Sequence, residues 1–145
     1  MKYLDDHKTS WKSKSDRNET KWGYEIKFGS LSTVSAKVLC IKSGENTSLK
    51  YYSTKNEILF LRSGEVKIIH GCEHTLKNAT LFPYDTSVLL PGECLCIQAG
   101  CPYQIFAIKN SEIFELGDSA RDVGIKIENL TNLEAVEETS SINQE

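Results

Sequence analysis

Residues 44–64 read GENTSLKYYSTKNEILFLRSG, two short runs of apolar and aromatic residues held between a glycine at either end. Side chains alternate faces along a strand, so Ser48, Lys50 and Tyr52 share one face while Leu49 and Tyr51 share the other. By the same rule Glu57, Leu59 and Leu61 point one way, and Ser63-Gly64 supplies the turn that follows. The stretch therefore predicts paired strands, with a lysine, a tyrosine and a glutamate on faces that alternation sets apart from their neighbours.

Outward from this stretch the same texture continues. Apolar runs at 34–41, 66–69, 88–90, 95–97, 105–108, 113–116 and 125–127 are punctuated by Asn78, Pro91-Gly92, Gly100 and Lys109-Asn110. Many short strands with regular turn signals predict an all-β barrel or sandwich. A chain of 145 residues that is 39% hydrophobic suits one domain with one core.

The ends differ from the middle. Residues 1–20 are polar and lack strand alternation, which predicts an arm that is flexible unless it pairs with the barrel or a second subunit. The tail at 130–145 is acidic, with Thr131 and Glu134 able to cap one short helix and 140–145 expected to be disordered. The formal net charge of −3 argues against nucleic-acid binding, which needs clustered positive charge. No signal-like apolar run opens the chain and no segment approaches the ~20 apolar residues of a membrane helix, so a cytoplasmic location away from membranes is expected. Five cysteines, an odd number, then read as free thiols.

Two spacings resemble the paired motifs of the cupin superfamily. The first motif, G-x5-H-x-H-x(3,4)-E-x6-G, is matched by Gly44, Lys50, Tyr52, Glu57 and Gly64, with lysine and tyrosine where the histidines belong. The second, G-x5-P-x-G-x2-H-x3-N, aligns with Gly92, Gln98, Gly100, Tyr103 and Ala107, and its histidine is also replaced. Trp22-Gly23-Tyr24-Glu25 and the exit DVGIKIEN at 122–129 resemble the C-terminal cupin domain of type II mannose-6-phosphate isomerase and mannose-1-phosphate guanylyltransferase proteins. The resemblance covers residues 21–129 and implies a single double-stranded β-helix, jelly-roll-like barrel, a sugar or sugar-phosphate ligand and homodimers. It also implies that three metal-ligating histidines are gone. Glu57 alone remains a conventional ligand, so neither a metal nor another cofactor is expected.

Within that frame Lys50, Tyr52, Glu57 and Tyr103 face the barrel interior as a polar cluster. A buried lysine needs a partner, and Glu57 is the nearest carboxylate in the frame. One reading makes Lys50 and Glu57 a structural substitute for the cation. A second keeps the pocket open: Lys50 holds an anionic or hydroxyl-rich ligand, Glu57 accepts from its hydroxyls, and Tyr52 and Tyr103 stack and donate. In an isomerase or epimerase version Glu57 is the general base and Lys50 or a tyrosine the acid. A non-catalytic dimeric interaction module is a further alternative.

HGCEH at 70–74 gathers two histidines and a thiol and could ligate zinc, although a solvated hairpin tip is expected there. Cys94 and Cys96 fall on one strand face, where they cannot close a disulfide with each other and are expected to pack as small hydrophobes.

Overall fold

The computed structural model describes residues 7–29 and 31–127, together with the backbone of 142–144. Among these residues there is no helix, and so none long and apolar enough to cross a membrane. The strands are β1 (Asp16–Thr20), β2 (Gly23–Lys27), β3 (Ser35–Ile41), β4 (Lys50–Tyr51), β5 (Glu57–Ser63) and β6 (Val66–His70). They continue as β7 (Asp85–Leu89), β8 (Cys94–Ile97), β9 (Tyr103–Ala107), β10 (Ser111–Gly117), β11 (Ile125–Ile127) and β12 (Ile142–Gln144). Two six-stranded sheets result, in the orders β1-β2-β3-β10-β5-β8 and β12-β11-β4-β9-β6-β7. All pairings are antiparallel.

The period of two decides what lies between the sheets. In β5 Glu57, Leu59 and Leu61 are buried, in β9 Tyr103, Ile105 and Ala107, and in β10 Ser111, Ile113 and Glu115. Leu59, Leu61 and Ile113 meet Val66, Ile68 and Ile105 from the other sheet in one core. Each such aliphatic side chain stabilises the fold by about 1.5–3 kcal/mol when fully removed from water.

All four glycines of the motif frame turn the chain at positive φ: Gly44 (85°), Gly64 (93°), Gly92 (94°) and Gly100 (85°). At Gly64 a Cβ would also collide with Asn110 and Ser111, so only glycine fits the β5–β6 turn. The two motifs are bonded to each other, because Gly44 N–H donates to the Ala107 carbonyl at 2.9 Å and Gly100 N–H to the Tyr52 carbonyl at 2.7 Å.

The two ends of the described chain carry strands that the sequence reading either left open or did not expect. Residues 16–20 are β1, joined to β2 residue by residue from Asp16↔Lys27 to Thr20↔Gly23. DRNET has no apolar alternation because four of its five side chains are exposed, and backbone hydrogen bonds carry the pairing. Ile142–Gln144 pairs with β11, inside a segment expected to be disordered. The short helix expected from Thr131 lies outside the described residues.

Residues 76–84 cover the outer face of the second sheet. Leu76, Ala79 and Tyr84 pack there on Leu49, Tyr51 and Ile127 in a second apolar cluster. This explains why Leu49, on the face opposite Lys50, is also buried.

Candidate functional site

At one end of the barrel interior the aliphatic packing gives way to charge. Both sheets contribute. Lys50 comes from β4 and Tyr103 from β9, while Lys37, Glu57 and Glu115 come from β3, β5 and β10. Lys55 enters from the β4–β5 loop, and that loop is tightly fixed. Asp122 accepts from the backbone N–H groups of Thr54 (2.7 Å) and Lys55 (2.9 Å) and from the Thr54 hydroxyl (3.0 Å). Asp118 accepts twice from Asn56, at 2.9 and 2.8 Å.

Tyr103 donates to Glu57 Oε1 at 2.6 Å across the two sheets. Lys55 Nζ lies 3.0 Å from Glu57 Oε2, with the two side chains 6% and 1% exposed, and 3.9 Å from Glu115 Oε2. Lys37 Nζ is 3.6 Å from Glu115 Oε2 and 3.0 Å from Glu25 Oε1. Lys50 Nζ stands 5.7 and 5.8 Å from the Tyr52 and Tyr103 ring centres, and Lys55 Nζ 4.0 Å above Tyr52.

The two carboxyls are held in different states. Burial, followed by the charge of Glu115, pushes Glu57 up to about 7 against the pull of Lys55 and Tyr103. Burial also works against ionising Glu115, but Lys37, Lys50 and Lys55 outweigh it and hold that carboxyl below its ordinary value. Glu57 Oε2 is ion-paired with Lys55 without an aligned hydrogen bond, and Glu115 Oε1 has no hydrogen-bond partner. The two carboxyls also act on each other, which raises Glu57 and lowers Glu115. Tyr103 is raised by burial and then by the adjacent carboxylates, so it stays a neutral donor.

Lys37, Lys50, Lys55, Tyr52 and Glu115 form the inner wall of an open cavity of about 920 Å³. Lys21, Lys27, Arg121 and Lys126 line it further out, against Glu25, Glu45 and Asp122. Seven cationic side chains thus face four acidic ones in a chain whose formal net charge is −3.

The four residues singled out in the sequence are therefore brought together, in two positions. Lys50 and Tyr52 line the cavity; Glu57 and Tyr103 lie behind its wall. Glu57 is ion-paired with Lys55, which the sequence reading missed because it sits in a loop where strand alternation has no reach. Lys37 and Glu115 were also missed, although they are directly opposed across β3 and β10 and alternate with Leu39 and Ile113.

The donor set does not suit a divalent cation. Lysine holds no lone pair at neutral pH, and both Glu57 oxygens are engaged by Tyr103 and Lys55. Among the described residues no three His, Cys, Asp or Glu side chains converge as metal ligands. In the 70–74 stretch His70 bonds Ser87 at 2.8 Å, while His74 packs on Phe82 with ring centres 4.9 Å apart. All five cysteines are free, and Cys94 and Cys96 are exposed rather than packed, because their strand face is the outer one.

No protein-family model matches the sequence, and no curated protein matches it as a relative. Solved structures do match its fold. An oxalate decarboxylase variant from Bacillus subtilis superposes with a TM-score of 0.64 at 16% identity, covering 79% of this chain and 31% of that one. KdgF from a Halomonas species gives 0.60 at 12% identity, covering 73% of this chain and 87% of its own. The fold is a cupin barrel. CapF, solved with the inhibitor 3-isopropenyl-tropolone, gives 0.58 at 15% identity over 74% of this chain and 30% of its own. The chain spans about a third of the length of the oxalate decarboxylase it resembles.

Proposed function

We propose that this cupin barrel is a cytosolic small-molecule-binding domain that holds an anionic, hydroxyl-rich ligand, a sugar or sugar phosphate, without a metal. The observation that carries the reading is the cation-rich cavity of about 920 Å³ with Lys37, Lys50 and Lys55 on its inner wall. Its size suits a small ligand, and the buried ammonium groups suit an anion taken from water. Glu115 and Tyr52 add an acceptor and a ring face beside them. The resemblance of residues 21–129 to the mannose-6-phosphate isomerase cupin supplies the sugar class and supports a homodimer, which the solution mass tests.

Thermal-shift titration with sugar phosphates beside the parent sugars tests the ligand. A rise in melting temperature with the phosphorylated members, reduced in Lys50→Met, supports the reading; no rise with any of them sinks it. A catalytic version has one specific support, the Glu57 carboxyl near 7, where a general acid–base group works at neutral pH. In that version Lys50 is the acid at a sugar carbonyl, and Glu57, behind the wall, serves as base through the neighbouring Glu115 carboxyl that lines the cavity. Sugar-phosphate turnover that survives chelation and disappears in Glu57→Gln supports it, and an unchanged rate in that variant removes it.

A further inference from the structure

At the opposite end of strands β6 and β9 from the Val66↔Ala107 pair, two free thiols fall at opposed positions. The ladder runs in register from Val66↔Ala107 to His70↔Tyr103. It continues one step, because Gly71 N–H donates to the Pro102 carbonyl at 2.9 Å. Hydrogen-bonded and non-hydrogen-bonded pairs alternate along an antiparallel ladder. Gly71 and Pro102 take a hydrogen-bonded position, so the next pair, Cys72 and Cys101, takes the non-hydrogen-bonded one. There opposed Cα atoms approach to about 4.5 Å with side chains on the same face, inside the ~4.4–6.8 Å that a disulfide spans. The thiols are close enough for Cys72 to act on Cys101 electrostatically.

Their surroundings differ in a useful way. Cys72 is exposed, and its sulfur receives the His74 N–H at 3.4 Å and the Thr75 hydroxyl at 3.7 Å. These donors lower its pKa, the backbone N–H of His74 most. Cys101 is half-buried against the main core, and burial raises it. An exposed thiol favoured as thiolate beside a shielded one is the arrangement of an attacking and a resolving cysteine.

The geometry points to Cys72 and Cys101 as a reversible disulfide site that takes a small-molecule disulfide as its oxidant. The Cys72 thiolate attacks one sulfur of the small disulfide, forming a mixed disulfide and releasing one small thiolate. Cys101, having lost its proton to solvent, attacks the Cys72 sulfur and releases the second. Two protein thiols are oxidised and one small disulfide is reduced to two thiols. Closure ties the 72–75 turn, where the cover over the second sheet begins, to the 98–101 turn. That second turn bonds the Tyr52 carbonyl through Gly100, so the clamp reaches the cavity wall. Cys40, Cys94 and Cys96 have no part in it.

The test treats the purified full chain with glutathione disulfide and reads intact mass and non-reducing peptide maps. The expected product has lost two hydrogen atoms, carries no glutathione, links Cys72 to Cys101, and forms equally in a Cys40→Ser/Cys94→Ser/Cys96→Ser variant. Cys101→Ser is expected to stop at a stable mixed disulfide on Cys72, and Cys72→Ser to give no linked product. Should either variant fold poorly, the triple-serine variant alone decides the question. Glutathione persisting on Cys72 of the parent chain, or a linkage through any other cysteine, overturns the assignment.

Discussion

The interior of this barrel has an apolar half and a charged half built on the same faces of the same strands. β5 carries Glu57 and then Leu59 and Leu61; β10 carries Ile113 and then Glu115; β9 carries Tyr103 and then Ile105. Two residues along each strand, alkane packing becomes a network of lysines, carboxyls and tyrosine. The apolar half gains free energy by leaving water, which needs no partner of particular geometry. The charged half loses hydration and recovers it only through matched contacts, so it adds little net stability and depends on every member. A fold needs the first kind of interior. The second kind persists here beside an open cavity, where its groups can face a ligand.

Breaking the charged half should have the largest effect. Glu115→Ala leaves Lys37, Lys50 and Lys55 without their shared carboxylate, and removing one partner of a buried ion pair costs about 3–5 kcal/mol. Urea unfolding measures it. Replacing Lys55 and Glu57 together, by methionine and leucine, should cost much less than either change alone, because it removes both charges of one pair. Additive losses would show that the two ends of the interior are not different in kind.

The apolar half should answer next. Leu59 is fully buried among core residues of both sheets, and Leu59→Ala should cost about 2–5 kcal/mol through lost transfer energy and a cavity. Here no second substitution restores the loss except one that refills the volume. A cost below that of an exposed-leucine control such as Leu81→Ala, whose side chain is 68% exposed, would deny that this end holds the barrel together.

The two halves were not equally legible in the sequence. The frame glycines at 44, 64, 92 and 100 were readable because a left-handed turn tolerates little else, and all four adopt positive φ. Lys50, Tyr52, Glu57 and Tyr103 were readable as inward-facing because alternation is strict within a strand. Lys55 was not, since a loop has no period and its inward course depends on hydrogen bonds to Asp122 from the far end of the chain. Glu115 and Lys37 were hidden differently. Each sits in a run whose outer face is also apolar, Phe114 beside Glu115 and Val38 beside Lys37, so alternation did not single the charged residue out.

A pH series sharpens the contrast, because only the charged half titrates. The folded chain holds the Glu57 proton up to about 7, whereas an ordinary glutamate releases it near 4.5. Between those values the native state binds more protons than the unfolded one, so this group makes stability fall as pH rises from about 4.5 to about 7. Glu115, lowered in the fold, works in the opposite sense, and its contribution is lost as pH falls through its folded value. Glu57→Gln mimics the protonated form. Its stability should gain on the parent chain by an amount on the order of a few kcal/mol between pH 4.5 and 7, and a gap that stays constant over that range would remove the raised Glu57 carboxyl from the account.

The smallest effect belongs to the bond that joins the sheets. Tyr103→Phe deletes the hydroxyl that donates to Glu57 Oε1 at 2.6 Å and leaves the ring in place, a loss of about 1 kcal/mol for one hydrogen bond. Its informative consequence lies in the titration. The Tyr103 hydrogen bond holds Glu57 down, so without it the carboxyl should keep its proton to higher pH, and the midpoint of the Glu57-dependent change in stability should move upward. Leu61→Val, a comparably small change in the apolar half, should lower stability with no movement of that midpoint. If both substitutions left the midpoint alone, Tyr103 would be packing against Glu57 rather than tuning it, and the boundary between the two halves would lie between Glu57 and the ring.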